Sequence, residues 1–377
     1  MTATRVDTLV VGGGAMGSAA AWQLARRGVE VVLLERFEPG HTRGASHGSS
    51  RIFRTSYADP LYVSLALEAE AQWRELEDES RSVLLLVTGG VEHGAGPWAE
   101  ATAETLDTLG LPYAWLAPEE AAERWPGLRF SGKALFHPGS GRLHADRSVA
   151  ALRGAAAARG AEVRHGTAVT HLEVQDDDRV LVTTDAEQWS ARRVVVAAGA
   201  WAADLLGDLV PLPPIRVTQE QPAHFLPYDS GLDWPAFTHV PGADEPGSSQ
   251  FGGIYGLSSG DEGVKVGFHG TGPEVHPDRR DFLPELGQLA ALREYARAWV
   301  PGVDVDAATP ISCTYATTPD SNFVIDRIGP VVVAAGFSGH GFKFVPAVGR
   351  LLADLADDRS APALFSFRHH STQKGVS

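Results

Sequence analysis

Val10-Val11-Gly12-Gly13-Gly14-Ala15-Met16-Gly17 decides the fold of this chain. Leu9 to Val11 closes an apolar run that reads as a buried parallel strand over residues 6–11. Gly12 allows a tight turn, Gly14 lets the backbone approach a pyrophosphate, and Gly17 lets the next helix pack close to the strand. That helix is expected over Ala15–Arg27, with Ala19, Ala20 and Leu24 on its packed face and Gly28 as its stop. Its unpaired N–H groups and dipole then face phosphates. Val29–Leu34 reads as a second strand, ending at Glu35, 18 positions after Gly17. An acid at that distance binds adenosine ribose hydroxyls and disfavours a 2′-phosphate, so NADP is the least favoured dinucleotide. Glycines alone are a weak signal; strand, helix, second strand and acid in register are a strong one.

The rest of the chain sets limits on what can surround this unit. A length of 377 residues suits two domains, with ample apolar content for their cores. The net charge of −15, without a basic run, argues against nucleic acid and anionic membrane surfaces as partners. No apolar stretch reaches the ~18 residues that span a bilayer. The first strand starts by about residue 6, which leaves no room for a signal peptide. A single cysteine makes no intrachain disulfide, and no metal cluster is expected. The expectation is a soluble, cytoplasmic protein.

Between the termini, Pro39–Ser50 is a turn-rich loop holding His41 and His47, and a long loop beside a dinucleotide motif is usually functional. Helices are expected over Asp59–Glu79, Leu143–Arg159 and Leu286–Val300. Strands are expected over Val83–Gly90, from Glu162 to Val174, over Arg193–Ala198 before the Gly199-Ala200-Trp201 turn, and over Val331–Gly336. Thr218–Gly270 is aromatic, glycine-rich and strand-like. The buried strands near 6–11, 29–34, 194–198 and 331–335 share one character, and residues 216–309 have another. The economical fold is α/β: a doubly wound Rossmann-type domain from residues 1–85, 142–215 and 310–377, with a mainly antiparallel α+β substrate domain inserted from 86–141 and 216–309. A cofactor domain split in this way favours FAD over a nicotinamide dinucleotide.

These motifs together resemble the monomeric sarcosine oxidase and N-methyltryptophan oxidase family of amine-oxidising flavoproteins. The likeness runs from the opening motif through Ser50-Arg51-Ile52-Phe53-Arg54 and Trp125-Pro126-Gly127. Its most specific parts are Cys313-Thr314-Tyr315 with Thr318-Pro319-Asp320, Phe323-Val324-Ile325-Asp326, and Gly336-Phe337-Ser338-Gly339-His340-Gly341-Phe342-Lys343. A lone cysteine is most often a small buried hydrophobe, but the resemblance makes Cys313 the attachment point of the flavin through its 8-methyl group. It also sets Arg51 against the flavin ring and gives the substrate carboxylate to Arg54 and Lys343. The expected cofactor contacts are Gly12, Gly14, Ala15, Met16, Gly17, Glu35, Arg36, His41, Arg51, Val169, Gly199, Trp201, Cys313, Gly339, Gly341, Phe342 and Lys343.

Lys265 lies in Val264-Lys265-Val266-Gly267-Phe268-His269, where alternation puts Lys265, Gly267 and His269 on one face of a strand. A lysine in an apolar strand is costly unless it faces a cavity or partner. The resemblance places it above the flavin, where a fixed cation stabilises superoxide as it forms. Tyr255 and His269 then line the substrate pocket. Two departures stand out: Ala45-Ser46-His47-Gly48 for Ser-His-His-Gly, and Ser49-Ser50-Arg51 for Asp-Thr-Arg. Gly242–Gly253 is also longer and richer in glycine than in the family, which bears on the pocket mouth.

The expected function is an FAD-dependent oxidase of secondary amines, monomeric and acting on an N-alkyl amino acid with molecular oxygen. Two alternatives stay open. One keeps the flavin but takes a cyclic imino acid such as pipecolate or proline, or hands electrons to a protein acceptor. The other is a non-catalytic flavin-binding module.

Overall fold

The computed structural model describes residues 3–176, 179–248 and 251–372. The opening unit forms as its residues dictate. Strand β1 (Thr4–Val11) leads into helix α1 (Ala15–Arg26), and strand β2 (Val31–Leu34) returns beside β1 in parallel. Residues 29 and 30 precede β2, and Val31 to Leu34 are all buried. A Cβ on Gly17 would collide with the carbonyl oxygen of Gly12, so only glycine lets α1 start this close to β1.

Around this unit a parallel core is laid down in the spatial order Glu162–Arg164, β2, β1, Gln188–Val196, Val331–Ala335. Its central strands are continuous runs of valine, leucine and alanine because both faces are covered. Helices α1, Ala145–Ala157 and Val345–Ala356 share one face with Pro60–Ser80 in a single apolar core. Arg179–Thr184 and Val169–Asp176 extend one side antiparallel, and Val324–Ile328 pairs antiparallel with Val331–Ala335.

A second sheet of eight strands takes all its members from residues 90–137 and 223–310. Its order is Val303–Pro310, Ala223–Pro227, Val264–Phe268, Ile254–Ser258, Ala236–Val240, Gly90–Gly94, Ala134–His137, Ala114–Leu116. Only the contact between Ala236–Val240 and Gly90–Gly94 is parallel. Helix Leu286–Trp299 packs on one face, where Leu292, Tyr295, Ala296 and Trp299 join Val264, Val266 and Phe268 in the core. Smaller sheets tie the halves together: Arg51–Phe53 with Gly141–Leu143 and Leu85–Val87, and Arg216–Glu220 with Cys313–Thr317.

Three expected elements differ. Val83–Gly90 is two strands in two sheets, Leu85–Val87 and Gly90–Gly94, because Gly89 turns the chain at φ +76°. Glu162–Val174 also divides, at Gly166 with φ +65°, and its halves lie at opposite ends of the strand path. The helix expected from Leu143 starts at Ala145, since Leu143 belongs to a strand and His144 caps the helix by accepting from Arg147 N. Of Gly242–Gly253, residues 249–250 lie outside the described residues. No helix among the described residues is long and apolar enough to cross a membrane.

Candidate active site

A cavity of about 800 Å³ opens where β1, α1 and β2 meet. That volume lies in the range of cofactor sites. Gly12 turns the chain at φ +99°, and a Cβ there would sit 2.5 Å from the Ala197 carbonyl oxygen. Gly14 differs: its Cβ would meet only Ser46, with Oγ 3.1 Å away. The middle glycine thus leaves a cradle at the helix N-terminus, beside Ala15 and Met16. Ala15 N donates to Ser46 Oγ at 3.0 Å.

Glu35 is buried at the end of β2, accepting from Gly13 N at 2.6 Å and from Phe37 N at 2.9 Å. His41 stands 3.6 Å from it, and burial lowers the His41 pKa. Farther out, Arg36 Nη1 and Trp201 Nε1 both donate to Asp278, at 2.9 and 2.8 Å. Val169 and Gly199 complete this end. Arg51, Cys313, Gly339, Gly341 and Phe342 line the opposite end. Gly17 and Lys343 do not line this cavity: Gly17 serves the packing of α1, and Lys343 belongs to the neighbouring cavity.

The second cavity, of about 370 Å³, adjoins the first, and His47, Arg51, Cys313, Tyr315, Gly339 and Phe342 line both. Arg51 is held at this junction by backbone carbonyls: Nη1 donates to Ser50 O at 2.7 Å, and Nη2 to His47 O at 2.8 Å and Ala45 O at 2.9 Å. Its Nη2 lies 3.9 Å from Cys313 Sγ. His47 is pushed down to about 3 by burial and by the adjacent Arg51 and Lys265.

Strand Val264–Phe268 turns Lys265 and, just past its end, His269 into the second cavity, with Val264, Val266 and Phe268 in the core behind. Lys265 is 4% exposed and donates to Ser50 O at 3.0 Å. Burial, reinforced by Arg51, pushes its pKa down to about 7. Tyr255 stands on the adjacent strand opposite Gly267, whose missing side chain leaves room for the tyrosine ring. Burial raises the Tyr255 hydroxyl and lowers His269 to about 4, with Arg54 and Lys343 adding to the latter shift. His269 Nδ1 lies 3.4 Å from Tyr315 OH.

At the far end Arg54 and Lys343 face the same space. Lys343 donates to Tyr57 OH at 2.8 Å and His340 O at 2.7 Å, and burial drives its pKa well below the usual lysine range. Arg54 lies over the Tyr57 ring, 4.6 Å from its centre, and donates to Glu92 at 2.7 Å. The sequence reading missed Glu92, Tyr57 and Trp98. Glu92 had a signal of the kind Lys265 showed, a charge inside the short Gly90-Val91-Glu92-His93-Gly94 strand. Trp98 had none, since it reaches the cavity from the start of a separate helix.

A Gly-cradled helix terminus, a buried acid at the second strand and a long cavity fit an adenine dinucleotide. The adjoining cation-lined cavity suits an anionic substrate beside that dinucleotide. The profile of the FAD dependent oxidoreductase family matches residues 7–355, and the chain belongs to that family. It is 35% identical to a monomeric sarcosine oxidase of Bacillus sp. (strain NS-129), the alignment covering 94% of this chain and 93% of that protein. It is 27% identical to the N-methyl-L-tryptophan oxidase of Citrobacter koseri, over 94% and 96%. Among solved structures, NikD, described as an unusual amino acid oxidase essential for nikkomycin biosynthesis, superposes with a TM-score of 0.84. It is 29% identical, over 96% of each chain. Among the described residues no group of three or more His, Cys, Asp or Glu side chains could hold a metal ion.

Proposed function

We propose that this protein is an FAD-dependent oxidase that removes the N-methyl group of an amino acid of the sarcosine or N-methyltryptophan type. The observation that carries the reading is one cavity lined by Arg54, Lys343, His269, Tyr255 and Lys265 and reaching Arg51 and Cys313. The residues split between two segments groups: 1–85, 142–215 and 310–377 would hold FAD, and 86–141 with 216–309 would cover the substrate.

Arg54 and Lys343 bind the substrate carboxylate. A charge-assisted hydrogen bond in such a site contributes about 1.5–3 kcal/mol and fixes orientation. His269 is neutral at pH 7, because its pKa is pushed down to about 4. It therefore can accept a hydrogen bond from the substrate nitrogen, while Arg54 and Lys265 in the same cavity disfavour a second positive charge and so favour the unprotonated amine, whose lone pair drives oxidation. FAD, held in the larger cavity, would supply a two-electron acceptor that dioxygen can reoxidise. The substrate C–N bond becomes C=N, water releases formaldehyde and the primary amino acid, and dioxygen leaves as hydrogen peroxide. Lys265, with Arg51 beside it, offers cationic charge to the reduced oxygen. Cys313 Sγ is the tether to the cofactor.

The test is anaerobic bleaching of the yellow holoenzyme by a panel of N-methyl and cyclic amino acids, followed by peroxide yield in air. Bleaching by N-methyl amino acids with stoichiometric peroxide supports the reading. Selective bleaching by pipecolate or proline, or reduction without peroxide, replaces it with the corresponding alternative. Colour that leaves the polypeptide on acid precipitation rules out the Cys313 tether.

A further inference from the structure

We propose that Glu92 is a positioning residue for the substrate carboxylate, acting through Arg54. The inference rests on the reading of Arg54 as part of the carboxylate clamp. Glu92 sits at the centre of Gly90–Gly94, an interior strand of the second sheet, and is 1% exposed. Its Oε1 is the focus of three groups: Arg54 Nη1 at 2.7 Å, Ser56 Oγ at 2.6 Å and His137 Nε2 at 3.1 Å. His137 is itself fixed by Ser140 through its other ring nitrogen. The second oxygen, Oε2, is buried without a partner.

A carboxylate this deep is costly unless it is paired, and an apolar side chain fills such a space at least as well. Its pairing here is unusually directed. Burial alone would raise its pKa, yet Arg54, His137 and Ser56 hold it down at about 2. The other cations of the cavity have neutral partners: Lys343 rests on a tyrosine hydroxyl and a carbonyl, Lys265 on a carbonyl. Arg54 alone among these is locked to a buried anion. Glu92 takes one of its five N–H groups, and Tyr57 holds the guanidinium through a side-chain hydrogen bond, with its ring centre 4.6 Å from Arg54 Cζ. The remaining donors are thereby oriented before any substrate arrives, and ordering done in advance is not subtracted from affinity.

The test is calorimetric titration of the holoenzyme with acetate and benzoate, for the wild type, Glu92→Gln, Glu92→Ala, Arg54→Met and the Arg54→Met/Glu92→Ala pair. Glu92→Ala is expected to weaken carboxylate binding by up to about tenfold, the cost of ordering one long side chain on binding instead of beforehand. Glu92→Gln keeps an acceptor of nearly the same shape and is expected to cost about threefold. In the Arg54→Met background Glu92→Ala should add nothing, which a general loosening of the sheet would not produce. In turnover, KM for an N-alkyl amino acid should rise with kcat little changed, whereas an N-methyl amine without a carboxylate should show no KM change. Carboxylate affinity unchanged or tightened in both Glu92 variants, or losses that add to that of Arg54→Met, overturn the inference while leaving the clamp in place. An Arg54→Met protein that binds carboxylates like the wild type overturns the clamp, and this inference with it.

Discussion

The two cavities that meet at Arg51 and Cys313 are built by different means. The larger is shaped by backbone: glycines at 12 and 14, a helix N-terminus set close to β1 by Gly17, and the ends of parallel strands. The smaller is shaped by charged side chains, Arg54, Lys265 and Lys343, with the buried Glu92 behind Arg54, brought from four separate segments. A backbone-built cleft fails through sterics. A cavity built from charges fails through unpaired groups and through pH.

Gly17→Val tests the first mode most severely. Its side chain would strike the Gly12 carbonyl, and overpacking of that kind costs about 1–3 kcal/mol before any strain in the turn. The expected outcome is protein with little bound flavin, read from the ratio of visible to ultraviolet absorbance. Retained flavin would mean that the turn is more plastic than its packing shows.

Lys265→Met tests the second. Removing a preorganised charge at the site of a developing anion typically costs ~10²–10³ in rate, so reoxidation by oxygen should slow by about that factor in stopped flow while anaerobic reduction persists. In the wild type the same step should slow as pH rises through about 7, because the cationic form of Lys265 is lost there. Arg54→Met should raise KM by about 10–100-fold, the equivalent of a lost charge-assisted pair.

Acid separates the two regions further. His47, His224, His239, His269 and His340 are all pushed down to about 3 or 4, chiefly by burial. The unfolded chain binds these protons near the ordinary pKa of ~6.5, the folded chain only lower. Stability is therefore complete above about pH 6.5 and falls as pH drops toward 4. Thermal melts from pH 7 to 4.5 should show a steady loss of Tm; a flat profile would show that these rings take up protons without unfolding. Asp278→Asn, which weakens the exposed contacts to Arg36 and Trp201, should cost only ~0.2–1 kcal/mol. A larger loss would show that this contact does more than close the outer end of the cleft.

Legibility followed the same division. The β1–α1–β2 unit could be read residue by residue, because local backbone geometry demands glycine at set places. Lys265 was legible from alternation, since a charge inside an apolar strand has to face something. Gly90–Gly94 carried the same signal at Glu92, but a five-residue strand with histidine and glycine in it has too little alternation to single it out. The split of Val83–Gly90 between two sheets was hidden because a glycine inside such a run is compatible with either a strand or a turn, and only the positive φ of Gly89 decides it.

The sequence by itself determined a dinucleotide unit, a second antiparallel layer, and that Lys265 had to face a cavity or a partner, because those follow from backbone sterics and from the cost of burying charge. The places of Arg51, Arg54 and Lys343 came from the family resemblance. Only the tertiary structure decided which charges meet. The pairing of Arg54 with Glu92, 38 positions apart, and of Lys343 with Tyr57, 286 apart, depends on the packing of separate sheets and loops, and no local pattern encodes it.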